Sequence, residues 1–550
     1  MPHSRFALKP AALAALAIGC SAAQAFTFET GDVRGNLDST MAVGLGLRTT
    51  DPSCSLITEG ATGTGAPAGC LAPTALLGDQ GDLNYGKYDL FTGYLKGTHE
   101  LLLKAPQDFT FLFRFNWVAD PIATATTGIT SATSPPPPSV TNGLSDEAYA
   151  ALQFKARLLD LWLSKTFEVG DQQARVRLGY QVISWGESLF LPGGINATNA
   201  LDIMRLSQPG TQLKEVYIPA PILSISSGLG HGFNAEAYVQ FAWNDSYFPP
   251  TGSYWSVVNG LGKGHEAYGL SQVNPSNGQQ WGVALRYQPE GTQLNLGAYA
   301  MAYQDKTPNF SVNINNTGAV GWTFATNRRM YGVSANFPVG DMAVGFEASY
   351  RPKDAVALNA ATSGCASQNG NCWVDSAKWQ FALTGLLSLT PSTGGGFLKL
   401  LGADTATLLA EAVMIRYPNL QQSYGGDLIT AGGWGWGQLT DPNAAPVAFG
   451  SKNSSGFNFD FSWVYDGTVI PGWQVVPEIY YFRALSGHTP NLSGLFMSGA
   501  SSANFVVSFI RNPATWQFAL NYATFWGGST LVDQPYGDRD FFGVVLSRNF

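Results

Sequence analysis

Gly81-Asp82-Leu83-Asn84-Tyr85-Gly86-Lys87 carries the two glycines and the lysine of a phosphate-cradling loop. Tyr88 follows where a Ser or Thr hydroxyl would hold Mg²⁺, and the stretch leads into a strand pattern rather than a helix, so nucleotide binding is rejected. No G-x-S-x-G nucleophile elbow and no H-E-x-x-H zinc motif occurs, and the five histidines (3, 99, 231, 265, 488) are scattered. A Ser/His/acid set assembled across distant strands, as a membrane-embedded lipid hydrolase would need, is the one catalytic option left. With no motif behind it, the chain reads as a non-enzyme without cofactor or metal.

Charged residues offer binding chemistry instead. Trp185-Gly186-Glu187 opens a segment, 185–211, that also holds Asn196 and Asp202, with Glu215 just beyond. Folded into a lumen, Glu187 and Asp202 would present charge to a ligand or a gate. The structural reading is favoured, because enclosed charges are usually satisfied by partners. It has Gly186 permitting a tight bend, Trp185 wedged against a wall and Glu187 paired with an arginine. Arg114, Glu236, Arg286, Glu347, Arg351 and Asp460 fall on the wetter face of alternating stretches and mix both signs. Mixed signs knit a wall together, where a selective pore would concentrate one sign. Asp538-Arg539-Asp540 reads as a further ion-pair node.

These groups need a scaffold, and composition narrows it. Asp, Glu, Lys and Arg make up 12% of the 550 residues, half the usual share, while aromatics reach 13%. Disorder is excluded by the aromatics, and nucleic-acid binding by 30 basic against 38 acidic residues. Past residue 25 no stretch of about 20 apolar residues could form a spanning helix.

Residues 1–25 read as a signal peptide: Arg5 and Lys9, a short apolar run from Ala11 to Gly19, then Ala23-Gln24-Ala25. In an exported chain, Cys54, Cys70, Cys365 and Cys372 suggest two local disulfides, Cys54–Cys70 and Cys365–Cys372, in loops.

The rest alternates with period 2. Between Phe457 and Tyr465 one face carries Phe457, Phe459, Phe461, Trp463 and Tyr465, the other Asn458, Asp460 and Ser462. Phe109–Trp117 and Phe233–Trp243 repeat the pattern. Aromatic-rich apolar faces are the mark of lipid-facing strands, more than of a soluble sandwich.

Eighteen strands are predicted, with sixteen as runner-up: near 37–48, 87–103, 107–119, 157–167, 174–184, 212–225, 232–244, 278–288, 293–305, 327–337, 341–351, 377–389, 405–416, 456–466, 473–483, 501–511, 514–526 and 538–550. Connections alternate short and long, as in a closed antiparallel outer-membrane β-barrel with periplasmic turns and long extracellular loops. Lipid cannot satisfy an edge strand, so the sheet must close. Two places fit poorly: Pro219 and Pro221 interrupt 212–225, and 390–404 is long for a turn.

The blocks Gly179-Tyr180-Gln181-Val182-Ile183-Ser184-Trp185-Gly186-Glu187-Ser188, Gly194-Ile195-Asn196, Asn199-Ala200-Leu201-Asp202 and Leu213-Lys214-Glu215, with Tyr350–Asp354 and Asp538–Phe541, resemble the proteobacterial family catalogued as domain of unknown function 1302. This chain departs by Tyr180 where Arg is usual and Ala200 where Pro is usual. The terminal strand Phe542–Phe550 resembles the C-terminal signal of such barrels, implying handling by a barrel-assembly machinery.

The resemblance implies a place beside a periplasmic lipid-carrier-like protein and an inner-membrane exporter of hydrophobic molecules. The reading is therefore one domain, 26–550, in the outer membrane. It would act as conduit or receptor for a hydrophobic or lipid-like molecule, with segment 185–211 turned inward. A general porin for small polar solutes, a docking component of an envelope complex and, least favoured, a lipid hydrolase are the alternatives.

Overall fold

The computed structural model describes residues 26–53, 56, 78–128, 139–278, 280–359, 364–430, 449–528 and 533–550. The signal-peptide region and the Cys54–Cys70 pair lie outside them.

Alternation produces an antiparallel meander. In chain order the strands are β1 (Val33–Arg48), β2 (Leu90–Ala105), β3 (Phe109–Ala119), β4 (Phe154–Val169), β5 (Gln172–Gln181), β6 (Ala220–Gly230), β7 (Phe233–Gln240), β8 (Gln280–Tyr287) and β9 (Asn295–Tyr303). They continue as β10 (Arg328–Val339), β11 (Met342–Ala357), β12 (Trp373–Leu389), β13 (Thr405–Arg416), β14 (Asn453–Asp466), β15 (Trp473–Ser486), β16 (Ser501–Arg511), β17 (Trp516–Trp526) and β18 (Phe541–Asn549). Each pairs with the next, and β1 closes on β18 from Thr40↔Asn549 to Arg48↔Phe541. A short strand, Phe26–Thr30, folds back on the start of β1. Ser39 and Phe550 exchange backbone hydrogen bonds, so both ends of the ring meet at the rim that carries the short turns.

The ring is inside-out relative to a soluble protein. On β12, Trp379 and Leu383 are 38% and 53% exposed, while Gln380 and Thr384 between and beside them are 1% and 7% exposed. The apolar face points away from the molecule and the polar face into it, which only a lipid surround stabilises.

Every predicted strand overlaps one of these. The segment 212–225 needs correction, since the strand runs Ala220–Gly230 and its preceding residues are a short 3-10 turn and a pairing of Tyr217–Ile218 with Ala200–Leu201. Pro219 and Pro221 mark the strand's entry, where a missing N–H costs least. The long connection at 390–404 holds a helix, Pro391–Leu401, opened by a Thr390 capping box and closed by Gly402 in the left-handed region.

The loops at the opposite rim fold on one another over an apolar core of their own. Val257, Leu261, Trp322, Leu358, Tyr417, Ile429 and Phe496 belong to it, as does the Cys365–Cys372 disulfide. A second group, Tyr85, Phe91, Tyr254, Trp255 and Phe541, packs ring on ring beside it, with Phe91 and Tyr254 stacked at 3.7 Å.

Candidate functional site

Between β5 and β6 the chain leaves the wall and crosses the bore. Trp185 is 2% exposed, lies 5.2 Å from the Tyr238 ring of β7 and 5.8 Å from Tyr299 of β9, and donates its indole N–H to Glu236 Oε2 at 2.9 Å. Gly186 has φ +86°, and a Cβ there would stand 2.2 Å from a Glu347 oxygen, so only glycine brings the chain this close to the carboxylate.

Two wall carboxylates then hold the segment. Glu347 on β11 accepts the backbone N–H groups of Glu187 (2.9 Å), Ser188 (3.4 Å) and Ile195 (2.6 Å). Glu411 on β13 accepts Phe190 N–H (2.7 Å), Leu191 N–H (2.9 Å) and the Ser188 hydroxyl (2.5 Å). Both are 1% exposed. Loop amides are their partners, so an irregular backbone inside the bore has its donors satisfied and the carboxylates have their compensation.

On the same side, Arg351 donates to Gly193 O at 2.6 Å and to Asp354 at 3.0 Å, and Gln380 donates to Pro192 O at 3.2 Å. The Glu187 carboxylate takes the Asn336 amide at 3.0 Å, and among the described residues it has no arginine partner. Asn196 accepts Trp185 N–H at 3.2 Å.

The return leg is anchored on the opposite wall. Asp202, 0% exposed, receives Lys155 at 2.7 Å and Arg157, both from β4, and caps the helix Ile203–Ser207 through Arg205 N–H. Glu215, 2% exposed, receives Lys96 at 2.8 Å and the Thr98 hydroxyl at 3.0 Å from β2, with the Asn116 amide of β3 beside them. The Tyr94 hydroxyl donates to Pro209 O at 2.8 Å. One loop thus touches strands on both sides of the ring, and Ile183, Trp185 and Ile195 pack against an apolar sector of the inner wall formed by Ile222, Met301 and Met330.

Burial alone would raise the Asp202 carboxyl, but Lys155, Arg157 and Arg205 bring it below its ordinary 3.8. A carboxyl lowered by folding lends stability that is present above its unfolded value and lost as pH falls through the folded one. Hydrogen-exchange protection of 200–208 is therefore expected to hold at pH 6 and to fall below about pH 4. Asp202→Asn abolishes that acid sensitivity, because the titrating group is gone. Unchanged protection down to pH 2 would refute the assignment.

Of the remaining charges, Arg114 bridges Glu100 (2.6 Å) and Asp160 (2.8 Å), and Arg286 meets Glu236 at 3.3 Å. Asp460 sits on β14 with its Cα opposite those of Leu409 and Tyr480, two residues along from Asn458, which pairs with Glu411. Arg539 joins Asp79 and Asp82, and Arg48 joins Asp82 and Asp538, all five buried under the long loops. Asp540 instead accepts the Tyr522 and Thr524 hydroxyls. The phosphate-loop look-alike is part of this node: Asp82 supplies its charge, and a Cβ on Gly81 would lie 2.1 Å from Ser253 O. Phe550 lies under the Arg548 guanidinium at 4.7 Å.

Glu411, Lys96, Lys155 and Arg157 had no signal beyond their place on the inner face of their strands. Among the described residues no cluster of His, Cys, Asp and Glu is gathered as a metal ion would require.

A closed ring with an apolar exterior, a polar interior and one loop laid across its bore defines a transmembrane β-barrel with an occupied lumen. The chain belongs to the family described as protein of unknown function (DUF1302), whose sequence pattern matches residues 7–550. No curated protein matches it. Among solved structures it is similar to OccAB1 of Acinetobacter baumannii (TM-score 0.41, 10% identity, 94% of this chain and 96% of that one). It is also similar to a BenF-like porin from Pseudomonas fluorescens Pf-5 (TM-score 0.41, 9% identity, 94% and 98%).

Proposed function

We propose that this barrel sits in the outer membrane, short turns toward the periplasm, as a gated conduit or receptor for a hydrophobic or lipid-like molecule. In this reading a periplasmic lipid-carrier-like protein and an inner-membrane exporter hand cargo to it, and no covalent chemistry occurs in the barrel. The observation that carries it is the apolar sector inside the bore: Ile222, Met301 and Met330 on the wall, facing Ile183, Trp185 and Ile195 of the crossing loop. A pore for sugars or ions keeps its wall wet, whereas this sector, covered by the loop at rest, offers an acyl or polycyclic body an apolar surface once the loop moves aside.

Purified protein in a planar bilayer should be nearly silent, while proteoliposomes containing it should release a fluorescent amphiphile faster than protein-free ones. A large steady conductance with fast sugar uptake would instead establish a general porin and sink the proposal.

A further inference from the structure

Below the crossing loop, near the short-turn rim, the wall is hollowed. On β5, Val176, Leu178 and Tyr180 face outward, so Arg175 and Arg177 face the lumen. Their neighbours on β6 are small: Arg175 pairs with Ser226 and Arg177 with Ser224. Across β7, Asn234 pairs with Arg286 of β8. Two arginine-bearing strands thus flank a floor of serines, with the outer two of these four strands about 14 Å apart, a gap that guanidinium side chains narrow from both sides. The result is a cavity of about 650 Å³ lined by Arg175, Arg177, Ser224, Ser226, Glu236 and Arg286, among others.

The charges in it do not balance. Arg286 has Glu236 at 3.3 Å, but Glu236 also accepts the Trp185 indole N–H. Among the described residues the Arg175 side chain hydrogen-bonds the Ser164 hydroxyl, at 3.2 Å, and that of Arg177 hydrogen-bonds Gln181 Oε1, at 3.5 Å. Neither forms an ion pair among the described residues, and Arg177 Nε is buried without a hydrogen-bond partner. Trp162 lies under both guanidinium groups, 5.7 and 4.4 Å from its ring, and holds them in place. The lumen arginines elsewhere, Arg114, Arg157, Arg328 and Arg351 among them, each hold a carboxylate. In a chain of net charge −8, three arginines share one acid in a single concavity.

The geometry points to an oxyanion subsite here, taking the carboxylate or phosphate head of an amphiphile whose body takes the place of the Trp185 ring against Tyr238 of β7 as the loop yields. This rests on the conduit reading for its cargo and adds the chemistry of the head. Paired guanidinium forks match the oxygens of such a head, and those bonds are charge-assisted. Glu236 joins the subsite to the loop, so an anion on Arg286 competes for the carboxylate that holds Trp185.

The test is calorimetric titration of the full chain in non-ionic detergent with octyl phosphate, inorganic phosphate and octanol. Octyl phosphate should bind best, weaken as salt rises, and bind about tenfold more weakly to Arg175→Gln/Arg177→Gln, as loss of charged hydrogen bonds implies. Arg175→Lys/Arg177→Lys should recover part of that loss, and heat-modifiable gel mobility verifies that each variant folds. Octyl phosphate binding that the Gln pair leaves unchanged overturns the subsite. Equal affinity for inorganic phosphate overturns the amphiphile as source of the head, and equal affinity for octanol overturns head recognition altogether. Amphiphile release from liposomes separates the two readings. Binding without release supports the subsite and removes the conduit. Release that persists in the Gln pair, with binding lost in no variant, keeps the conduit and removes the subsite.

Discussion

Glu347→Ala/Glu411→Ala is expected to convert a nearly silent barrel into one with frequent large openings. The two carboxylates accept six hydrogen bonds from residues 187–195, all inside the bore. Bonds to a charged acceptor contribute about 1.5–3 kcal/mol each, and the amides left behind are buried donors without a partner. Even if water that enters restores most of this, a residual 4 kcal/mol shifts the closed-to-open ratio by about a thousandfold. Glu347→Gln alone should act in the same direction more weakly, since an amide keeps one acceptor but turns donors toward donors. Single-channel recording reads the openings, and thiol labelling of Ser188→Cys reads exposure of the loop. Unaltered conductance together with unaltered labelling would show that the loop is held by packing alone.

Arg539→Ala is expected to open the long loops without unfolding the ring. Arg48 and Arg539 are both fully buried and face three acids, Asp79, Asp82 and Asp538. Removing one partner of a buried ionic network costs about 3–5 kcal/mol, because a charge is left uncompensated. The result should be proteolysis within 78–90 and 533–540 at protease concentrations the native chain withstands, with heat-modifiable mobility retained. A native-like digestion pattern would refute the role.

The same node predicts a pH dependence of opposite sign to that of Asp202. Burial pushes Asp79 up to about 7, although Arg539 draws it back. Burial also pushes Asp538 up to about 8, with Asp82 beside it adding to the rise. Three acids against two guanidinium groups keep a proton in the folded node. For carboxyls raised by folding, stability is fully present below the ordinary 3.8 and is lost as pH climbs through the folded values. Loop proteolysis should therefore be slower at pH 5 than at pH 9.

What could be read from the chain alone was whatever a strand encodes locally. Phe457, Phe459 and Phe461 alternate with Asn458 and Asp460 because one face meets lipid and the other does not, a binary choice that repeats every second residue. Strand number, closure and the inward set of charges follow from that choice, and Cys365–Cys372 was legible because its partners are seven residues apart. At 212–225 the prolines marked the boundary that the predicted strand ran past, since the strand begins at Ala220 and ends at Gly230.

Tertiary structure decided everything that depends on partners far apart in sequence. Nothing near Glu411 shows that it holds residue 190, or near Arg48 that it meets Asp538, 490 positions away. Glu187 was expected to find an arginine and found Asn336, because the bend at Gly186 delivers its amide, not its side chain, to the wall's charge. The loop laid across the bore has the same origin. Periodicity states which way a side chain points, but only closure of the ring determines what stands opposite it.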